Sequence, residues 1–187
     1  LHYSLHSFPY TTLFRSKFAY TRSRNLQDLI QGPKNPVTIA YKGTLACMNC
    51  SNCNNIIRGN VIHHPQKGFP IKLRVNANCN SENVVYLLKC PCGLCYIGKT
   101  ERKIRIRLVE HKSNIRNKNT KSTIAVHFNT ARHNISQLRF QVLECVIKKR
   151  GMDNRKFLLQ REAWWMRKLD TIIPKGLNER FEYSCFL

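Results

Sequence analysis

Two tyrosines, an arginine and a glutamate are the residues of this chain whose chemistry could support a reaction. Tyr86 and Tyr96 lie in two strand-like runs, VVYLLKC and LCYIG. Arg107 lies in a helix-compatible segment, and Glu162 lies in a second one, just before two tryptophans. A guanidinium offers a planar donor fork to phosphate oxygens, and a carboxylate is a hard oxygen ligand that suits Mg²⁺ or Mn²⁺. A phenol, with a pKa of about 10, could activate a water only if nearby positive charge lowered that pKa.

His111 and Asn178 complete the candidate set. His111 follows Arg107 by four residues, so the two side chains share one face of a helix. Asn178 follows the second helical segment in the stretch PKGLN. Taken singly, each residue also has a structural interpretation: the tyrosines could pack across strands, Glu162 could pair with a cation one turn away, and Asn178 could be a turn residue. Only their joint order and spacing favours catalysis.

The charge of the chain indicates its partner. The formal net charge is +22, with 32 lysine and arginine residues against 10 aspartate and glutamate residues. Such a surface attracts polyanions, and nucleic acid is the expected partner. No apolar run is long enough to span a bilayer, and no amphipathic anchor or lipidation signal is visible, so we expect no membrane partner.

Nine cysteines accompany an N-terminus without a secretory signal. We therefore expect reduced thiols or metal ligands in an intracellular protein rather than a disulfide framework. Cys47, Cys50 and Cys53 form two overlapping C-x-x-C pairs, a spacing typical of zinc sites. Either Cys79 or His63 could supply a fourth ligand. The alternative is a cysteine-rich loop.

Hydrophobic periodicity predicts the elements that position these residues. NVVYLLKC and LCYIG are predicted strands of an antiparallel hairpin, because PCG supplies turn residues between them. A helix is predicted from Glu101 to Arg116 with Thr100 as its N-cap, and Ser122 is predicted to cap a shorter helix. A third strand follows in QLRFQVLECVIKK, and Asp153 precedes a long amphipathic helix. The order β-β-α-α-β-α predicts an α/β (α+β) fold, a small three-stranded antiparallel sheet flanked by helices.

The two tyrosine runs and the residues after them resemble the GIY-YIG nuclease family. The first run has Val84-Val85-Tyr86 where the family has Gly-Ile-Tyr, and the second has an intact Tyr96-Ile97-Gly98. In that family a helix arginine, a late-helix glutamate and a following asparagine complete the site in this order. Here these residues are Arg107, Glu162 and Asn178.

The resemblance implies a phosphodiesterase site with one divalent ion. Glu162 would hold Mg²⁺ or Mn²⁺, and either Tyr86 or Tyr96 would be the general base. His111 would position a phosphate or assist the proton transfer. The substrate implied is DNA.

The stretches KCPCG, YIGKT, EHKSNIR and LDTIIPKGLNE are similar to the endonuclease domain of Penelope-like retroelement proteins. That branch carries cysteines between its two motifs. The resemblance implies that Cys90 and Cys92 bind a structural zinc ion with two later histidines. His127 and His133 are better placed than His111 for this role, and the next cysteine is extra to the pattern and could compete as a ligand. The alternative is a set of small buried thiols.

These features divide the chain into four parts. FPYTTLFRS, near the N-terminus, resembles a translated sequencing adapter and is therefore set apart from the fold. IKLRVNANC, in the Cys-rich part, is a further predicted strand. The parts are residues 1–16, an artefactual or disordered N-terminus; 17–46, a linker with a short helix in RNLQDLIQG; 47–82, a Cys-rich, candidate zinc-binding extension; and 83–187, the GIY-YIG-like endonuclease domain.

The sequence thus predicts a metal-dependent DNA endonuclease that acts in the nucleus. The resemblance further implies that the chain is the C-terminal piece of a retroelement protein. Such a protein would nick DNA to expose a 3′-OH for a reverse transcriptase, and that domain or RNA would be a further partner. One alternative is a catalytically inactive module, stabilised by zinc, that binds nucleic acid. The joint retention of the candidate catalytic residues argues against this alternative. Another is a cellular structure-specific repair nuclease of the same fold, which the extra cysteines disfavour.

Overall fold

A three-stranded antiparallel sheet forms the centre of the computed structural model, which describes residues 42–147, 151 and 153–181. Its strands are β5 (Val84–Lys89), β6 (Cys95–Thr100) and β7 (Arg139–Cys145), in the order β6-β5-β7. The first five residues of the central strand β5 are all buried, which agrees with its continuous apolar run VVYLL. The predicted fold class, a mixed α/β domain with a small antiparallel sheet, is confirmed.

Three helices flank this sheet: α1 (Ile104–Arg116), α2 (Thr123–Thr130) and α3 (Asn154–Leu169). Ser122 caps α2 by accepting a hydrogen bond from a backbone N–H, and Asp153 caps α3 in the same way. Both predicted caps are confirmed. The predicted Thr100 cap is wrong, because α1 begins three residues later than predicted and the Thr100 hydroxyl accepts from the Arg102 N–H instead.

The end of the predicted linker and the Cys-rich segment together form two small strand pairs before the sheet, because the first of these strands precedes residue 47. β1 (Gly43–Thr44) pairs in parallel with β4 (Asn76–Ala77), and β2 (Val61–His63) pairs antiparallel with β3 (Pro70–Lys72). The stretch IKLRVNANC, predicted as one strand, therefore divides between β3 and β4, because its two halves have different partners. A 3₁₀ turn, Cys53–Asn55, lies between β1 and β2 in the chain.

The Cys-rich segment shares one hydrophobic core with the sheet. Ile56, Leu73 and Val75 belong to the same buried cluster as the β5 residues. The Thr44 hydroxyl is fully buried. It accepts from the Val142 N–H at 3.0 Å and donates to the Val142 carbonyl at 3.3 Å. These two bonds hold β1 against the outer edge of β7. The segment is therefore packed as part of this domain.

Two sequence predictions cannot be compared with the structure. The N-terminal part, residues 1–16, and the helix predicted in RNLQDLIQG lie outside the described residues. Within the part of the chain that is described, no helix has both the length and the apolar composition needed to cross a membrane.

The substitution Thr44→Val tests the attachment of β1 to the sheet. Valine keeps the shape but leaves the buried Val142 N–H and carbonyl without this partner, so we expect a loss of about 1–3 kcal/mol in the free energy of unfolding. Thr120→Val, at an exposed threonine, is the matched control and should change it little. Equal urea-unfolding curves for the two variants would contradict the attachment.

Candidate active site

Tyr86 lies at the centre of the candidate site, buried in the middle of β5. Its hydroxyl lies 2.8 Å from His111 Nε2 and 3.3 Å from Arg107 Nε. A guanidinium can only donate hydrogen bonds, so the Tyr86 oxygen accepts from Arg107 and its proton is donated to His111 Nε2. His111 is therefore the tautomer with its proton on Nδ1, a buried atom with no hydrogen-bond partner among the described residues.

Burial keeps this group of side chains uncharged except for the guanidinium. It raises the pKa of Tyr86 well above its ordinary value, and the charge of Tyr96 would raise it further. Burial and the neighbouring Arg107 lower the pKa of His111 to about 3. At neutral pH the imidazole is therefore neutral. It accepts a hydrogen bond from the phenol and does not take its proton.

Gly98 makes the close approach of the two phenols possible. It lies directly opposite Tyr86 in the β5–β6 ladder. A Cβ atom at this position would lie 2.6 Å from the Tyr86 hydroxyl oxygen and 2.8 Å from Cε1 of Tyr96. Any larger residue would push the tyrosines out of place, which is a physical reason for the glycine of the Tyr-Ile-Gly motif.

Glu110 orients the arginine, although it was not among the residues predicted from the sequence. Its carboxylate accepts from Arg107 Nη1 at 2.8 Å and from Arg102 Nη2 at 2.6 Å. Partial burial acts to raise the pKa of Glu110, but hydrogen bonds from these two arginines outweigh it and hold the pKa below its usual range. The i, i+3 spacing of Arg107 and Glu110 was the available sequence signal.

A cleft of about 460 Å³ brings the predicted residues together. Its walls include Tyr96, Arg107, His111 and Glu162, with Tyr86 packed behind His111. The cleft unites strand β6, helix α1 and helix α3 although these residues span more than sixty positions of sequence. Tyr96, the guanidinium and the distant carboxylate thus line one cleft as predicted, whereas Tyr86 lies behind its wall, and the catalytic roles stay predictions.

The cleft offers oxygen ligands of the kind that Mg²⁺ prefers. Glu162 lines it together with a second carboxylate, Glu179, which the sequence analysis did not identify. Burial raises the pKa of Tyr96, the charge of Glu162 raises it further, and Arg107 acts in the opposite direction. The chemistry of this donor set fits a divalent cation.

Asn178 lines the same cleft but is bound to the backbone of β6. Its Oδ1 accepts from the Ile97 N–H at 2.9 Å, and its Nδ2 donates to the Ile97 carbonyl at 2.8 Å. The next bond along the same edge runs from the Leu177 N–H to the Cys95 carbonyl. These contacts favour a positioning role, in which Asn178 fixes the strand that carries Tyr96, and a direct catalytic role stays a prediction.

The hairpin turn and helix α2 form the first candidate zinc site. His127 Nε2 lies 3.2 Å from Cys92 Sγ and 3.3 Å from Cys90 Sγ, and the His133 ring packs against that of His127. All four possible ligand atoms lie within 4.8 Å of one another. Neither His111, which binds Tyr86, nor the extra cysteine, Cys95, belongs to this group.

The structure also joins the sulfur atoms of Cys90 and Cys92 as a disulfide, a state in which neither sulfur is a thiolate ligand. That state leaves His133 Nε2 buried without a partner among the described residues. A zinc ion held by the two thiolates and two imidazoles would satisfy this nitrogen. The four residues therefore fit a structural zinc ion better than they fit a disulfide.

Cys47, Cys50, Cys53 and Cys79 form the second candidate zinc site. Four of their sulfur–sulfur distances are 3.4, 3.6, 3.7 and 3.9 Å. A tetrahedron with Zn–S bonds of about 2.3 Å has edges of about 3.8 Å. The group thus has the dimensions of a Cys₄ site, and the fourth member is Cys79 rather than His63.

The antiparallel sheet, the buried phenols and the cleft with its guanidinium and carboxylates define a domain suited to phosphodiester chemistry. A family model described as GIY-YIG catalytic domain matches residues 82–178, just over half of the chain. The chain belongs to the GIY-YIG family, and it is a nuclease of that family with nucleic acid as its substrate. No curated protein and no solved structure matches it.

Metal analysis of the purified protein tests the two zinc sites. We expect about two zinc ions per chain and expect Cys79→Ser to lose about one of them, because a Cys₄ site needs all four thiolates. Cys145→Ser is the matched control, since Cys145 lies outside both groups. A wild-type protein without zinc, or equal zinc content in the two variants, would contradict the assignment.

Proposed function

We propose that this chain is a metal-dependent DNA endonuclease that nicks its substrate. The observation that carries the proposal is the hydrogen-bonded series Arg107–Tyr86–His111, whose two end members line one cleft together with Glu162. A guanidinium, a neutral imidazole and a carboxylate around water-accessible space supply the charge neutralisation and positioning that phosphodiester hydrolysis requires. The high positive charge of the chain supports a nucleic-acid substrate.

In this mechanism the guanidinium of Arg107 binds a non-bridging oxygen of the scissile phosphate. Glu110 and Tyr86 hold the guanidinium in place, so little reorganisation is needed. His111 lines the cleft wall as a neutral imidazole, and its Nδ1–H is buried without a hydrogen-bond partner among the described residues.

Glu162 is the residue that would hold a divalent ion, with Glu179 nearby. When bound, Mg²⁺ or Mn²⁺ supplies Lewis-acid stabilisation of the phosphate and lowers the pKa of bound water. Tyr96 lines the cleft and Tyr86 does not, so Tyr96 is the phenol that can contact the attacking water. We therefore assign Tyr96 the role of orienting that water, because its raised pKa keeps the phenol protonated, and Tyr86 the role of positioning Arg107 and His111.

We further propose a retroelement origin, close to the Penelope-like proteins. The support is the cysteine pair between the two tyrosine motifs, together with its grouping with His127 and His133. In that setting the nick would provide a 3′-OH for a reverse transcriptase, and the protein would act in the nucleus. Zinc at this pair would fix the hairpin turn to α2.

Nicking of a supercoiled plasmid with Mg²⁺ tests the catalytic assignment through Glu162→Gln. We expect nicking to fall on the order of 100-fold or more, because the amide cannot supply the charge that holds the ion. Glu82→Gln, at an exposed carboxylate outside the cleft, should nick like the wild type.

DNA binding by the same variants separates the nuclease from an inactive binding module. Retained binding with lost nicking in Glu162→Gln supports the enzyme. Equal nicking by wild type and Glu162→Gln, or no nicking by the wild type with Mg²⁺ or Mn²⁺, would contradict it.

A further inference from the structure

A second cleft, of about 730 Å³, lies on the other side of helix α1 from the active site. Its walls come from the Cys-rich segment, from α1 and from the chain around the start of β7. Arg116 follows Arg107 by nine residues, which at 3.6 residues per turn places it on the opposite side of the helix. The cleft is thus separate from the one that holds Glu162.

The charge of this second cleft is entirely positive. Lys112, Arg116 and Arg139 line it, and no carboxylate is among its lining residues. Within the described part of the chain, none of the three cations forms an ion pair. Most of the other lining side chains are asparagines and serines, which can donate hydrogen bonds to an anion.

Lys112 is held in place by two buried asparagines of the Cys-rich segment. Its Nζ donates to Asn52 Oδ1 at 2.7 Å and to Asn55 Oδ1 at 2.8 Å. The amide nitrogens are also bound, from Asn52 to the Arg105 carbonyl and from Asn55 to the Leu138 carbonyl. Both amide oxygens are therefore fixed toward the ammonium, and the lysine is pre-organised without being neutralised.

The candidate Cys₄ site includes the loop that carries Asn52, one of the two asparagines bound to Lys112. Asn52 lies between Cys50 and Cys53 in the sequence, within the loop whose sulfur atoms have the spacing of a zinc tetrahedron. Burial and the nearby charge of Arg116 lower the pKa of Lys112. A bound anion would relieve this repulsion between like charges.

We propose that this second cleft binds the phosphate backbone of the DNA duplex outside the cleavage site. The inference rests on the proposed function, because it takes the nuclease's own substrate as the occupant. Three cations that line one cleft suit a polyanion better than a single small anion.

The spacing along α1 is compatible with one continuous duplex. Arg107 and Arg116 are separated by about 13 Å along the helix axis, at 1.5 Å per residue. This corresponds to about four base pairs of DNA at 3.4 Å each. Because the two clefts open on opposite sides of α1, a duplex that contacts both would have α1 between its two contact regions.

The double substitution Arg116→Gln/Arg139→Gln tests the cleft in a Glu162→Gln background, where the DNA is not cut. Both arginines are exposed, so we expect the fold and the zinc content to be unchanged. We expect affinity for a labelled DNA duplex to fall on the order of tenfold or more at 0.1 M salt. The slope of log K against log salt should fall in magnitude by about 2.

Arg155→Gln/Lys156→Gln in the same background is the matched control. It removes the same charge from exposed positions of α3 that do not line the cleft, and we expect it to keep the affinity and the salt slope. Equal affinities and slopes for the two double variants would overturn the proposal. Because binding is measured without cleavage, this result is independent of whether the wild type nicks a plasmid.

Discussion

The hydroxyl group of Tyr86 is the contact on which the site depends. It lies between a cation that can only donate hydrogen bonds and an imidazole kept neutral by burial, so the direction of each bond is determined. Through this one oxygen the central strand β5 fixes two side chains of α1. Because β5 is the middle strand, it has no freedom to shift without breaking both of its ladders. The orientation of Arg107 therefore follows from the packing of the sheet.

The two candidate zinc sites lie outside the sheet, each beside one of its flanking helices. One connects the β5–β6 turn to α2, and the other packs beside the start of α1, where the Arg105 N–H donates to the Cys79 carbonyl. A domain with a three-stranded sheet buries little surface for its length, and zinc bound at these two sites would add stability that the small core does not supply. The cysteines and the cleft are thus parts of one arrangement, in which zinc at the two candidate sites would fix the ends of elements and the buried phenol fixes their middle.

The sequence was sufficient to predict the features that are local. The β5–β6 hairpin, the shared face of Arg107 and His111, and the Asp153 cap follow from periodicity and spacing over a few residues. Contacts between distant segments were not predictable, because no local pattern encodes them. The pairing of Lys112 with Asn52, sixty residues apart, is one example, and the choice of Cys79 over His63 is another. The N-cap rule failed at Thr100, because its hydroxyl accepts from the Arg102 N–H, which lies before the first residue of α1.

Single-turnover cleavage by Tyr86→Phe tests the central claim most directly. Phenylalanine keeps the buried ring and removes only the oxygen that orders Arg107 and His111. The account predicts a folded protein that keeps its zinc and its DNA affinity but cleaves on the order of 100-fold more slowly, because the transition-state contacts are no longer pre-organised. A Tyr86→Phe variant that cleaves at the wild-type rate would contradict it.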